Sequence, residues 1–178
     1  MAAGSGAVEA DEIRLDASGI ALPLLIDNFD DRASENALGG NLWTVTGGTA
    51  TASAAHVPAA GAGAQGSVYR IAASGPSGSW ATAGFDLRGL DATSTKSLAL
   101  SLRGARGGEE VHVYLASGEV RRYVAVTLSN SWQRLVIPLA EFQKQGVDLA
   151  KLDRLELVWE FRDFNETVEV DDVTMETQ

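Results

Sequence analysis

The second half of the chain carries aromatic and charged side chains at alternating positions. His112 and Tyr114 occupy every second position of one segment, and Tyr123 has the same phase in the next segment. Because alternate residues of a β-strand point to opposite faces, these side chains are predicted to face outward. Flat aromatic rings flanked by hydrogen-bonding groups suit a sugar ring, which offers C–H patches and hydroxyls. The residues predicted to bind such a ligand are Tyr114, Tyr123, His112, Arg103, Arg121, Trp159, Trp80 and Glu160.

The sequence offers little for catalysis. It has no cysteine and only two histidines, and it lacks the GxSxG, HExxH and Walker motifs. The run GARGG at 104–108 is predicted to be a turn, since no helix follows it. Glu156 and Glu160 share one face of a predicted strand, so a carboxylate pair for glycoside hydrolysis is an alternative, although any acidic strand produces such neighbours. We therefore predict a binding protein and not an enzyme.

The elements that would position these residues are short strands separated by Gly-, Ser- and Asn-rich turns. Leu98, Leu100 and Leu102 share one face of a strand, as a half-buried antiparallel sheet requires. Such repeated alternation predicts an all-β fold, a jelly-roll sandwich of two antiparallel sheets. Trp159 has the phase of the core leucines of its strand, so core packing is its alternative role, while Trp43 and Trp132 are predicted to pack structurally. The predicted strands are 24–29, 42–46, 67–72, 80–87, 97–103, 110–116, 121–128, 133–138, 154–161 and 167–175, with a short helix at 139–144.

Size and charge restrict the protein class. The chain has 178 residues, which suits one domain, and 24 acidic against 14 basic residues give a net charge of −10. This charge argues against nucleic acid and anionic lipid as partners. No apolar run is long enough to insert into a membrane. The first 16 residues lack the pattern of a signal peptide, so for an extracellular or cell-surface protein we expect the signal to lie upstream.

The two ends of the chain resemble each other. Residues 8–16 read VEADEIRLD and residues 168–176 read VEVDDVTME. One interpretation is a tandem array, in which 1–23 is a linker with a strand that echoes a preceding repeat, and 24–178 is the sandwich module. A second interpretation is head-to-tail self-association through that strand, which would make the module a structural or assembly unit. Chance similarity of short acidic strands is the third.

Several segments, taken in order, resemble a known family. They are LLIDNFDD (24–31), NALGGNLW (36–43), SGSWATAGFDLRGLD (77–91), LALSLRG (98–104), SNSWQRLVIPLAEF (129–142), DLAKLDRLELVW (148–159) and TVEVDDV (167–173). The set resembles carbohydrate-binding modules with the galactose-binding-like jelly roll, nearest to family 11, and is also similar to the complex I intermediate-associated protein family. The resemblance implies a module of a larger secreted or cell-surface protein that binds polysaccharide without cleaving it.

The resemblance also implies particular site residues. These modules often hold a structural calcium ion between an acid near the first strand and an Asp on the last strand, which correspond to Asp30 and Asp171. Asp27, Asp31 and Asp172 are alternates. Family 11 modules line their cleft with tyrosines, of which one corresponds to Trp159 and another to Ser79, beside Trp80. The segment QKQGVD after Phe142 also lacks the family's aromatic residue, so a remodelled cleft is expected.

Overall fold

The computed structural model describes residues 23–60 and 66–177, and this part of the chain forms eleven strands and one short helix. The segments rich in β-branched and aromatic residues become strands, and glycines and polar residues form the turns between them. The elements are β1 Leu24–Asp27, β2 Leu42–Gly47, β3 Thr51–Pro58, β4 Ser67–Gly75, β5 Trp80–Leu90, β6 Ser97–Gly104, β7 Glu110–Ser117, β8 Val120–Thr127, β9 Gln133–Pro138, α1 Leu139–Gln143, β10 Leu152–Trp159 and β11 Phe164–Glu176.

The strands form two antiparallel sheets, which confirms the predicted β-sandwich. The first sheet has the order β3-β4-β11-β6-β9, and β1 also pairs with β11. Because β11 is 13 residues long, β4 pairs with its beginning and β1 with its end. The second sheet has the order β2-β5-β10-β7-β8. Strands that are neighbours in the second sheet are mostly distant in the sequence, so the pairing brings separate segments together.

The core lies between the two sheets and contains the residues that the alternation assigned to it. Leu98, Leu100 and Leu102 of β6 are buried, and they pack in one cluster with Leu155 and Leu157 of β10. Burying each such side chain contributes roughly 1.5–3 kcal/mol. The opposite phase of each strand is left for the outer faces, and this phase carries the candidate binding residues.

Two of the predicted binding residues lie elsewhere. Trp159 is 2% exposed and belongs to the core cluster, so the prediction that it contacts a ligand is corrected: its phase placed it with the core leucines. Arg103 lies on β6, in the first sheet, where its guanidinium binds Glu169 and stacks on the Trp132 ring at 5.0 Å. It therefore lies on the opposite outer face of the sandwich from His112.

The N-terminal predictions lie outside the described residues. The strand expected at 8–16 and nearly all of the expected linker at 1–23 belong to the part without a described structure. Its counterpart, 168–176, forms most of β11, which is paired on both sides. The tandem-repeat and self-association hypotheses thus stay predictions. Within the described ranges 23–60 and 66–177 there is no helix with the length and hydrophobicity that crossing a bilayer requires.

Candidate functional site

The outer face of the second sheet, called the groove face below, collects residues from five strands. Along one row of the register, Trp43 of β2 lies opposite Gly84 of β5, and Gly84 lies opposite Glu156 of β10. Glu156 lies opposite Tyr114 of β7, which in turn lies opposite Tyr123 of β8. Neighbouring strands lie about 4.8 Å apart, so this row extends over roughly 19 Å across the sheet.

Two tryptophans border one side of the groove face, and each indole covers a glycine of the neighbouring strand. A Cβ placed on Gly84 would come within 2.1 Å of Cζ2 of Trp43, and one placed on Gly47 would come within 2.2 Å of Nε1 of Trp80. Only a glycine backbone leaves room for an indole at these positions. Nε1 of Trp43 donates a hydrogen bond to Oδ1 of Asp86 at 3.1 Å, which fixes the ring. Trp80 is 39% exposed.

A row of aromatic rings borders the other side; it consists of Tyr114, Tyr123, His112 and Phe161 and is called the aromatic row below. The His112 and Tyr123 rings stack with centroids 4.5 Å apart, and the Tyr114 ring lies 4.8 Å from that of Tyr123. The Phe161 ring lies 5.6 Å from that of His112. Tyr123 is 39% exposed, so its ring presents apolar surface to the solvent.

Charged groups form the floor between the two aromatic sides. The Glu156 carboxylate accepts hydrogen bonds from Nε of Arg121 and, at 3.0 Å, from Nε of Arg154. The Arg121 guanidinium lies over the Tyr114 ring, 3.6 Å from its centroid. Such a charge over an aromatic face is attractive and also preorganises the guanidinium. Tyr114 is therefore nearly buried, and it supports the surface from below instead of presenting a free ring.

The Tyr114 hydroxyl connects the floor to the end of β10. It donates a 2.6 Å hydrogen bond to Oε1 of Glu160. Burial, reinforced by the Glu160 carboxylate, raises the pKa of the Tyr114 hydroxyl, so the phenol keeps its proton and remains the donor. Nδ1 of His112 lies 3.5 Å from the same Glu160 oxygen. The hydrogen bond from Tyr114 thus holds the Glu160 carboxylate beside the groove.

A groove of about 290 Å³ lies between the two tryptophans and the charged side chains of the floor. It combines apolar indole faces with carboxylates and guanidinium groups, which is the combination that sugar C–H surfaces and hydroxyls require. It is lined by Trp43, Val45, Trp80, Thr82, Arg121, Glu156, Val158 and Glu160.

The groove does not support the alternative of a hydrolytic carboxylate pair. Both oxygens of Glu156 accept hydrogen bonds from guanidinium groups, and its side chain is 6% exposed. A hydrolase of this kind needs an acid that can donate its proton to the leaving oxygen. Glu156 has no free oxygen for this role, so its function here is to hold Arg121 and Arg154.

Six of the eight predicted binding residues lie on the groove face, but Tyr114 and His112 are only 6% exposed, because Arg121 covers the Tyr114 ring and Tyr123 stacks on His112. The six are Tyr114, Tyr123, His112, Arg121, Trp80 and Glu160.

Trp43 was predicted to pack structurally, and the structure places it in the lining of the groove. Trp43 points to the face of its strand opposite to Leu42, and this alternation was the one feature of the sequence that indicated an outward position for Trp43. The glycine on which its indole rests lies on another strand and gave no local signal. The predicted strand 154–161 gave Phe161 the phase of the core residues Leu155 and Leu157; this prediction is wrong, because β10 ends at Trp159 and leaves Phe161 68% exposed.

The predicted calcium ligands lie near one another, but the described residues contain no group of three or more His, Cys, Asp or Glu side chains that could hold a metal ion. The pKa of Asp171 is raised to about 6 by burial and by the neighbouring Asp172, with smaller contributions from Asp30 and Asp27. Oδ1 of Asp30 accepts a hydrogen bond from the Ser67 amide at 3.0 Å. A cation held here would therefore need backbone carbonyl or water oxygens in addition to these carboxylates.

Comparisons with known structures agree with this architecture. A family 11 carbohydrate-binding module from Clostridium thermocellum, in complex with a β-1,3-1,4-mixed-linked tetrasaccharide, superposes with a TM-score of 0.73 at 14% identity, covering 86% of this chain and 95% of that one. The family 30 module of the cellulosomal cellulase Cel9D-Cel44B of Clostridium thermocellum gives 0.63 at 18% identity, covering 88% and 98%. A family 29 module complexed with mannohexaose gives 0.58 at 11% identity, covering 88% and 92%. These identities are low, so the structural likeness establishes the fold.

The sequence comparison establishes the family. No curated protein matches the chain. The model of carbohydrate binding domain 30 matches residues 28–177, which include every strand except β1 and every residue of the groove face. The expected resemblance to carbohydrate-binding modules is confirmed, with family 30 as the matching family model and family 11 among the structural neighbours. The chain belongs to the carbohydrate binding domain 30 family and is a non-catalytic carbohydrate-binding module.

Proposed function

We propose that the groove face binds a single chain of a β-linked polysaccharide, held between Trp43 and Trp80 on one side and the exposed ring of Tyr123 on the other. The observation that carries the proposal is the placement of the two indoles, each packed against a glycine on an outer sheet face. An indole in this position keeps one broad apolar face free for the C–H surface of a pyranose ring. Arg121 and Glu160 supply hydrogen-bonding groups beside it.

The charged floor supports a neutral ligand. Two carboxylates, Glu156 and Glu160, lie beside two guanidinium groups, Arg121 and Arg154, so the charges of the floor balance within the protein. Buried polar groups that are already paired fix orientation without requiring a charged partner. A neutral glucan or mannan suits this floor better than a polyanion, which the net charge of −10 would also repel.

Two structural neighbours suggest which polysaccharides to test. Family 11 and family 29 modules are known in complex with a mixed-linked tetrasaccharide and with mannohexaose, respectively. The proposed ligands of this chain are accordingly soluble β-1,3-1,4-glucan and β-mannan. The module is proposed to act outside the cell, as part of a larger protein that acts on such polysaccharides.

The test is affinity gel electrophoresis of the parent and its variants in soluble mixed-linked glucan, glucomannan and xylan, followed by calorimetric titration with oligosaccharides. Trp80→Ala is expected to lose at least tenfold in affinity and little in stability, since the Trp80 side chain is partly exposed. Trp132→Ala, which removes a tryptophan that packs on Arg103 of the other sheet, is the matched control and should bind as the parent does. The proposal fails if Trp132→Ala lowers binding as much as Trp80→Ala does, or if none of the three polymers slows the migration of the parent protein.

A calcium ion at Asp30 and Asp171 is also proposed, with a structural role. The raised pKa of Asp171 supports it: burial and then the neighbouring carboxylates disfavour the charged form of this group, and a bound cation would offset both effects. Calcium accepts carboxylate and carbonyl oxygens in flexible geometry. Calorimetric titration of chelator-treated protein with Ca²⁺ tests the proposal, and absence of binding at millimolar calcium contradicts it.

A further inference from the structure

Phe161 is the most exposed large hydrophobic side chain in the part of the chain that the structure describes, at 68%. It lies just after β10, where the chain leaves the second sheet. Exposed apolar residues scattered over a surface need no explanation, but Phe161 lies at the end of the groove face with its ring 5.6 Å from that of His112.

The backbone of Phe161 is in a conformation that a bulky residue rarely adopts. Its φ angle is 68°, in the left-handed region, where the Cβ of an L-residue is crowded. Such strain persists only where the surrounding structure imposes it, and it is concentrated at functional sites. Phe161 gains no burial in return, so its packing in the isolated protein does not account for the strain.

The residues that follow hold this turn in place. Nη2 of Arg162 donates a 3.0 Å hydrogen bond to Oε1 of Glu166, whose side chain is 6% exposed. Oδ1 of Asp163 accepts a 2.6 Å hydrogen bond from the amide of Ser77, in the turn before β5. The exposed ring is therefore carried by an anchored turn, and a ligand meeting it would not have to order this segment.

The Phe161 ring also continues a line of aromatic rings, in which the buried His112 ring lies between the exposed rings of Tyr123 and Phe161. From Tyr123 through His112 to Phe161, successive centroids lie 4.5 and 5.6 Å apart. Tyr123 belongs to the row of the sheet that contains Trp43, whereas Phe161 lies beyond the last residue of β10. A short oligosaccharide seated between Trp43 and Tyr123 would end before Phe161, and a longer one would reach it.

We propose that Phe161 is an additional ligand-contacting platform that makes the module prefer long β-linked oligosaccharides over short ones. This inference rests on the proposed function of the groove face. Its chemistry is the stacking of a pyranose ring on a preorganised phenyl ring at the end of the groove.

Phe161→Gly and Phe161→Asn test the inference, because both residues tolerate a positive φ and neither provides a platform. We expect affinity for a β-glucan hexasaccharide to fall about tenfold, equivalent to about 1.4 kcal/mol, while affinity for a trisaccharide stays unchanged. The melting temperature of Phe161→Gly should be no lower than that of the parent, since the backbone strain is relieved. Phe161→Tyr, which keeps the ring, should retain both affinities.

Each contrary result has a distinct meaning. Unchanged hexasaccharide affinity in Phe161→Gly, alongside loss of binding in Trp80→Ala, refutes the inference and leaves the proposed function standing. An equal loss for trisaccharide and hexasaccharide refutes the length preference. A drop in melting temperature together with affinity identifies Phe161 as a structural residue and also refutes the inference. Failure of the parent to bind any oligosaccharide removes the proposed function itself.

Discussion

Gly84→Ala should weaken glycan binding although it replaces no side chain that contacts the ligand. The added Cβ would lie 2.1 Å from Cζ2 and 2.3 Å from Cε2 of Trp43, well inside any van der Waals contact. The indole must therefore move off the sheet, away from its hydrogen bond to Asp86. Overpacking of this kind costs roughly 1–3 kcal/mol, and replacing a strand glycine by alanine returns roughly 0.5–1 kcal/mol. We expect a net loss of stability of about 0.5–2 kcal/mol by urea unfolding.

Binding should respond more strongly than stability does. Truncating an aromatic anchor at the centre of an interface commonly costs about 2 kcal/mol, a factor of roughly 30 in affinity. If the added methyl group acts through the indole, Gly84→Ala should approach the affinity loss of Trp43→Ala. The double variant should bind no more weakly than Trp43→Ala alone, since the methyl then has no indole to displace. Calorimetric titration with a mixed-linked oligosaccharide measures all four proteins.

Either of two results would refute the claim that Gly84→Ala acts on binding through the Trp43 indole. Gly84→Ala with the affinity of the parent would mean that the indole over this glycine is not part of the site. Additive losses in the double variant would mean that the substitution acts on the sheet itself and not through Trp43.

Three further predictions concern stability and the acidic cluster. In the presence of a chelator, the raised pKa of Asp171 favours the protonated carboxyl in the folded state, so the stability that this carboxyl contributes is complete below about pH 4 and is lost as the pH rises through about 6. Asp171→Asn should remove about 1 kcal/mol of this pH dependence and so flatten the curve of melting temperature against pH. A curve for the variant that runs parallel to that of the parent would contradict the prediction. At pH 7.5, millimolar Ca²⁺ should raise the melting temperature of the parent but not of Asp171→Asn; an equal rise in both would exclude this carboxylate as a ligand. Tyr114→Phe removes the hydrogen-bond donor to Glu160 and should lower the free energy of unfolding by about 1 kcal/mol. Trp159→Ala empties a core position and should lower it by roughly 3–5 kcal/mol. Denaturant unfolding measures both losses, and a larger loss for Tyr114→Phe than for Trp159→Ala would contradict the prediction.

The sequence by itself was sufficient for the class of fold. Strict alternation in segments such as 98–102 and 111–115 can bury one face only as a β-strand, so the leucines and valines of these segments had to point inward. The same rule placed His112 and Tyr114 on an outer face, and the structure confirms both positions. The face to which a side chain points depends only on its position along its own strand, so the sequence of one segment is enough to predict it.

Membership of a sheet is not local, and only the tertiary structure decided it. Arg103 and His112 both point outward from their strands, yet β6 and β7 belong to different sheets, so the two side chains lie on opposite faces of the sandwich. The groove depends on the pairing of β2 with β5, which brings Gly84 under Trp43. The exposed position of Phe161 depends on an anchored turn. Each of these features is set by contacts between segments far apart in the chain, and the alternation of residues along a single strand contains no information about which strand will lie beside it.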